Sequence, residues 1–151
     1  MRYLLFLFSW ICFAQQGVKV DFIFAKANLE VNETTKSIAG TVEYQFNVIA
    51  VTDSIRIDAK NMDFKSVFIN QKEVKFKNSR KELVLFEGFK IGSNVLSIKY
   101  SAKPKQTLYF IGSKAENNLQ IWTQGQGKYT SHWLPNFSFT SSKLGDRKSV
   151  V

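Results

Sequence analysis

The feature that most constrains this chain is a two-residue alternation of apolar and polar side chains that recurs from Val18 to Trp122. Successive side chains of an extended strand point to opposite faces, so this period marks strands with one buried face. Val18, Val20, Phe22 and Phe24 share one parity, with Lys19, Asp21 and Ile23 between them. Ile38 to Val51 is predicted as the next strand, with Val42, Tyr44, Phe46 and Val48 on one face. Ile55 and Ile57 alternate with Arg56 and Asp58, and Asn61-Met62-Asp63 then interrupts the pattern. Val67 to Ile69, the polar turn Asn70-Gln71-Lys72, and Val74 with Phe76 make a hairpin candidate. Further strands are predicted at Leu83 to Phe86, Val95 to Tyr100, Leu108 to Ile111 and Leu119 to Trp122, with turns at Gly88 and Gly92-Ser93-Asn94. No segment keeps a 3.6-residue apolar period over a helical length. Short strands at regular spacing with polar turns predict an antiparallel all-β sandwich.

Composition agrees with one such domain. The chain has 151 residues, enough to bury an apolar core without metals or disulfides. Its 14 phenylalanines favour strands. The formal charge is +9, but the lysines are scattered through strands and turns rather than gathered in a block. That distribution describes a solvated face and gives no reason to expect a nucleic-acid partner.

The first residues have the order of an export signal. Arg2 gives a positive start, Tyr3 to Phe13 is apolar except for Ser9, and Ala14 supplies a small residue at a cleavage position. Residues 1–14 are expected to form a signal-peptide helix. The apolar run is too short to span a bilayer, so no stable membrane anchor is expected. The lone cysteine, Cys12, lies within this segment, and the bulky Ile11 before it argues against lipid attachment. The mature chain then has neither disulfide nor thiolate site.

The stretch from Ile121 to Phe137 holds the candidate chemistry. A predicted strand ends at Trp122, and Gly125 and Gly127 free the backbone that follows. Gln124 and Gln126 each present a donor and an acceptor on an uncharged arm, suited to orienting an amine or a peptide group. Spacing alone favours a turn with two solvated glutamines. His132 is the only histidine, whereas a catalytic zinc site needs three protein ligands, so no metal site and no catalytic residue are expected here. There is no Gly-x-Ser-x-Gly elbow, no glycine-rich phosphate loop and no His-Glu-x-x-His.

Gln124-Gly125-Gln126-Gly127, with Leu134-Pro135 downstream, resembles the end of the N-terminal domain of the M1 zinc aminopeptidases. The subgroup with leukotriene A4 hydrolase is similar in spacing. Ile38-Ala39-Gly40-Thr41-Val42, Ile57 to Met62, Val67 to Asn70 and Leu96 to Ser101 resemble further segments of that domain, in the same order. The resemblance covers Val18 to Phe137. It implies a saddle-like β-sandwich over residues 15–137, beside an active site. It also implies that Gln126, with Gln124 and Gly125 in the same loop, helps hold the free α-amine of a peptide. Zinc is expected only in the family's catalytic domain, which supplies the Gly-x-Met-Glu-Asn and His-Glu-x-x-His motifs and which this chain lacks. The match stops at Ser138, where the family usually has aspartate. Ser138 to Gly145 resembles nothing in the family, and Asp146 to Val151 is the peptide one frame of a common sequencing adapter encodes. Residues 138–151 are therefore expected to be a non-native or disordered tail.

The expectation is the substrate-positioning domain of an exported enzyme, periplasmic or extracellular. Its partners would be peptide N-termini and the downstream catalytic domain, and the fragment would be inactive alone. The alternatives are a freestanding exported module binding carbohydrate or protein, and the structural domain of a non-catalytic relative.

Overall fold

A computed structural model describes residues 19–124 and 129–137. The expected signal peptide and the expected tail lie outside them. Ten strands run in the order β1 (Val20–Asn32), β2 (Ser37–Val48), β3 (Ile55–Asp58), β4 (Met62–Ile69), β5 (Lys72–Glu73), β6 (Phe76–Asn78), β7 (Glu82–Leu85), β8 (Gly92–Ala102), β9 (Leu108–Ile111) and β10 (Gln120–Thr123). A five-stranded sheet has the order β1-β2-β8-β4-β5, a three-stranded sheet β3-β7-β6, and β9 pairs with β10 alone. Every ladder is antiparallel. The expected all-β sandwich is the observed fold.

The core forms where the alternation sends its apolar parity inward. Val42, Tyr44, Phe46 and Val48 of β2 and Leu96, Ile98 and Tyr100 of β8 are buried. Ile55 and Ile57 of β3 and Leu83 and Leu85 of β7 join them in one cluster. Gly40 is required where β1 crosses β2. A Cβ there would stand 2.1 Å from the backbone oxygen of Asn28, a contact no side-chain rotation can relieve.

Four predicted details are corrected. The alternation in β1 fails after Phe22, because the register shifts between Phe22 and Phe24 and leaves Ile23 as an extra residue. A bulge of one residue exchanges the faces of everything beyond it. Phe24 consequently pairs with Gln45 and is exposed, while Phe22 stays in the core. β2 ends at Val48 rather than Val51, where the Ile49 and Ala50 amides both donate to the Lys19 carbonyl. The break lies earlier than expected, from Ala59 to Asn61, which takes φ 54°, and Met62 already begins β4 with its side chain in the core.

The last correction concerns Gly92-Ser93-Asn94, which opens β8 instead of forming a turn. Asn94 is buried, so its amide must be fully paired. Its Nδ2 donates to the carbonyls of Lys90 and Gly92, and its Oδ1 accepts from Lys90 N and Asn70 Nδ2. Asn70 and Gln71 both have positive φ, the geometry of a tight two-residue hairpin turn, so a hairpin forms where one was expected, with Lys72 in its second strand rather than in the turn. Only Lys72 and Glu73 pair back on β4, however. Phe76 has by then crossed to the other sheet and pairs with Leu85.

Candidate functional site at the end of the β9–β10 hairpin

The segment after the hairpin returns across the sandwich and is fastened at each step. Thr130–His132 makes one 3-10 turn, with the amides of Trp133 and Leu134 donating to the Thr130 carbonyl. Ser131 O accepts from Lys60 N at 2.7 Å. Asn136 and Asp58 exchange both backbone bonds, at 2.8 and 2.7 Å. Tyr100 Oη donates to the Trp133 carbonyl at 2.9 Å, and Tyr44 Oη donates to the Pro135 carbonyl. Burial raises the pKa of both phenols, so they remain neutral donors. Phe137 closes the segment by stacking on Phe22 and meeting Tyr44 edge-on.

Gln124 is exposed at the start of this return, just past β10. Its amide donates to the Thr107 carbonyl at 2.9 Å. Gly125 and Gln126, the other two residues assigned to amine binding, lie outside the described residues. Thr107 also reaches the far side of that interval, since its Oγ1 donates to the Tyr129 carbonyl at 3.0 Å. The residue is buried, with φ 67°. Sequence reasoning missed Thr107 because nothing in Lys105-Gln106-Thr107-Leu108 marks a residue with partners 17 and 22 positions away. The two tyrosine hydroxyls were missed similarly, as both had been placed only by the apolar parity of their strands.

His132 ends the 3-10 turn of the return segment, partly buried and near Tyr129. Burial first, and the positive charge of Lys60 second, lower its pKa below the usual histidine value. Asp58 moves the other way. Burial raises its pKa, with a further rise from Glu82 and an opposing pull from Lys60. These groups do not gather into a metal site. Among the described residues no three His, Cys, Asp or Glu side chains lie together where they could hold an ion. The donor set on this face therefore does not fit zinc. Among the described residues no helix is long and apolar enough to cross a membrane.

The Peptidase M1 N-terminal domain matches residues 24–138. The chain belongs to the M1 peptidase family. Solved structures share its fold. Yeast leukotriene A4 hydrolase in complex with bestatin superimposes with a TM-score of 0.69 at 20% identity, covering 80% of this chain and 21% of its own. A two-domain M1 zinc metallopeptidase mutant bound to L-tryptophan gives 0.66 at 12% identity, covering 78% of this chain and 29% of its own. An M1 zinc metallopeptidase mutant from Deinococcus radiodurans, bound to a Tyr-Ser-Ala substrate, gives the same score and identity. This M1 chain thus spans about a fifth to a third of the length of these neighbours. No curated protein matches it.

Proposed function

We propose that this chain is the substrate-positioning domain of an exported, zinc-dependent M1 aminopeptidase, and that its glutamine loop takes hold of peptide N-termini. The observation that carries the reading is the place of Gln124. The family match runs through it, and it stands exposed at a strand end with its backbone fixed to a buried residue. An exopeptidase must count from a free amine. Oriented amide oxygens near a charged amine make a site that rejects internal peptide bonds, because those leave the polar groups unpaired. Zinc would be held by downstream polypeptide, where it would polarise the scissile carbonyl. On this reading the present residues bind and orient, and residues 1–14 are removed on export.

The test begins with the gene. An in-frame His-Glu-x-x-His beyond Phe137 supports the enzyme, and an unrelated domain there supports a freestanding binding module instead. In a polypeptide carrying those ligands, Gln126→Ala should raise KM for an amino-acid chromogenic amide about 10- to 100-fold, the loss of a hydrogen bond to a charged group. An unchanged KM would remove the loop from substrate binding. The 151-residue chain alone is expected to release no amino acid and to retain no zinc after gel filtration. N-terminal sequencing of exported material should begin at Gln15.

A further inference from the structure

We infer that Thr107 is the positioning residue of Gln124, tying Gln124 and Tyr129 to the start of β9 through its backbone carbonyl and its hydroxyl. The inference rests on the proposed amine-binding role for its functional consequence, and on geometry for the rest. Thr107 is β-branched, yet it takes φ 67° in the left-handed region. That conformation is disfavoured for any residue with a Cβ and most of all for a branched one; glycine or asparagine would adopt it more readily. A threonine kept there must gain something that glycine lacks.

The gain is visible in its partners. The Thr107 carbonyl accepts from Gln124 N at 2.9 Å, and its hydroxyl donates to Tyr129 O at 3.0 Å. Glycine could supply the first bond but not the second. Tyr129 is exposed and its carbonyl also accepts from His132 N at 3.1 Å, so the Thr107 hydroxyl is not needed to satisfy that carbonyl; it is what ties the carbonyl to the start of β9. Strained backbone persists where surrounding contacts over-determine it, and it concentrates at binding sites. Thr107 meets that description: one partner lies on each side of the chain interval from Gln124 to Tyr129, and Leu108 next to it anchors β9 in the core. Thr107 touches no substrate in this scheme. It acts through Gln124.

The experiment uses the 151-residue chain and trypsin. Lys128 lies between the two flanks, whereas Lys99 lies in the centre of β8 and reports global unfolding. The ratio of cleavage after Lys128 to cleavage after Lys99 is therefore a local measure that a general loss of stability does not raise. Thr107→Val and Thr107→Gly should raise that ratio about 5- to 10-fold, the scale of one net hydrogen bond. Thr107→Ser, which keeps the hydroxyl, should leave it at the parent value. An unchanged ratio in Thr107→Gly overturns the inference, even if Thr107→Val fails to fold. So does a Thr107→Ser ratio as high as that of Thr107→Gly. In the polypeptide with zinc ligands, Thr107→Gly should raise KM with kcat nearly constant, and Thr107→Ser should restore it. A raised cleavage ratio with unaltered KM would support the grip on the loop while defeating the aminopeptidase role proposed for it.

Discussion

The five-stranded sheet and the β9–β10 hairpin are built from the same residue types and are held in opposite ways. β2 and β8 lie in the middle of the large sheet, each with neighbours on both edges and an inner face closed by β3 and β7. Val42, Phe46, Leu96 and Ile98 there are wholly inaccessible. The hairpin has one ladder of four residue pairs. Of its residues only Leu108 is buried, and Ile111, Ile121 and Trp122 are exposed, Trp122 resting on Tyr109. Local stability follows the number of buried apolar contacts, so the hairpin belongs to the part of the molecule that opens first. Gln124 follows directly from that weaker element. The difference teaches that alternation builds the scaffold, whereas the site depends on a few polar bonds that fasten a weakly packed hairpin to it.

Truncation in each region is the direct way to break this contrast. Phe46 is fully buried and stacks on Phe22, so Phe46→Ala should cost about 3–5 kcal/mol in urea unfolding. A loss below about 1 kcal/mol would mean that the interior collapses around the gap and that the sheet is less rigid than its burial implies. Trp122→Ala should cost much less, about 1 kcal/mol, the scale of one partly exposed aromatic pair. Hydrogen exchange should then rise in the β9 and β10 amides while those of β8 stay protected. Equal losses from the two variants would show that hairpin and sheet unfold as one unit.

How much of this was legible in the sequence divides along the same line. The central residues of β2, β3 and β8 were readable because their burial keeps a period of two, although the end of β2 and the start of β8 were not. The hairpin at Asn70 was readable because its turn is local. The β1 bulge was not, since Ile23 is as apolar as its neighbours and only the pairing with β2 reveals which residue is extra. Asn94 looked like a turn residue because isolated asparagines favour turns, but here four hydrogen bonds meet the cost of burying its amide. At the candidate site the glutamines were legible by resemblance, and Thr107 was not. Its partners are remote in sequence, and its backbone conformation is one that threonine rarely adopts.

The smallest expected effect sharpens the contrast from the scaffold side of the return segment. His132 is the only histidine, so its ring can be followed alone by NMR. Burial and Lys60 lower its folded-state pKa below the ordinary value of 6.5. In the unfolded chain the ring binds a proton more readily than in the fold. Between the lowered folded value and 6.5 the unfolded state therefore carries more protons, and stability rises with pH. This contribution is fully present above pH 6.5 and is lost as pH falls through that window. Asp58 has the opposite sign: its raised pKa makes stability decline as pH climbs above the ordinary carboxylate value. The two effects have opposite signs, so His132→Gln should remove only the part of the slope that rises toward pH 6.5. A titration midpoint at or above 6.5 in the folded protein would show that the His132 ring is not held in the partly buried place beside Lys60, and that the return segment's attachment is looser than the 2.7 Å bond from Lys60 N to Ser131 O implies.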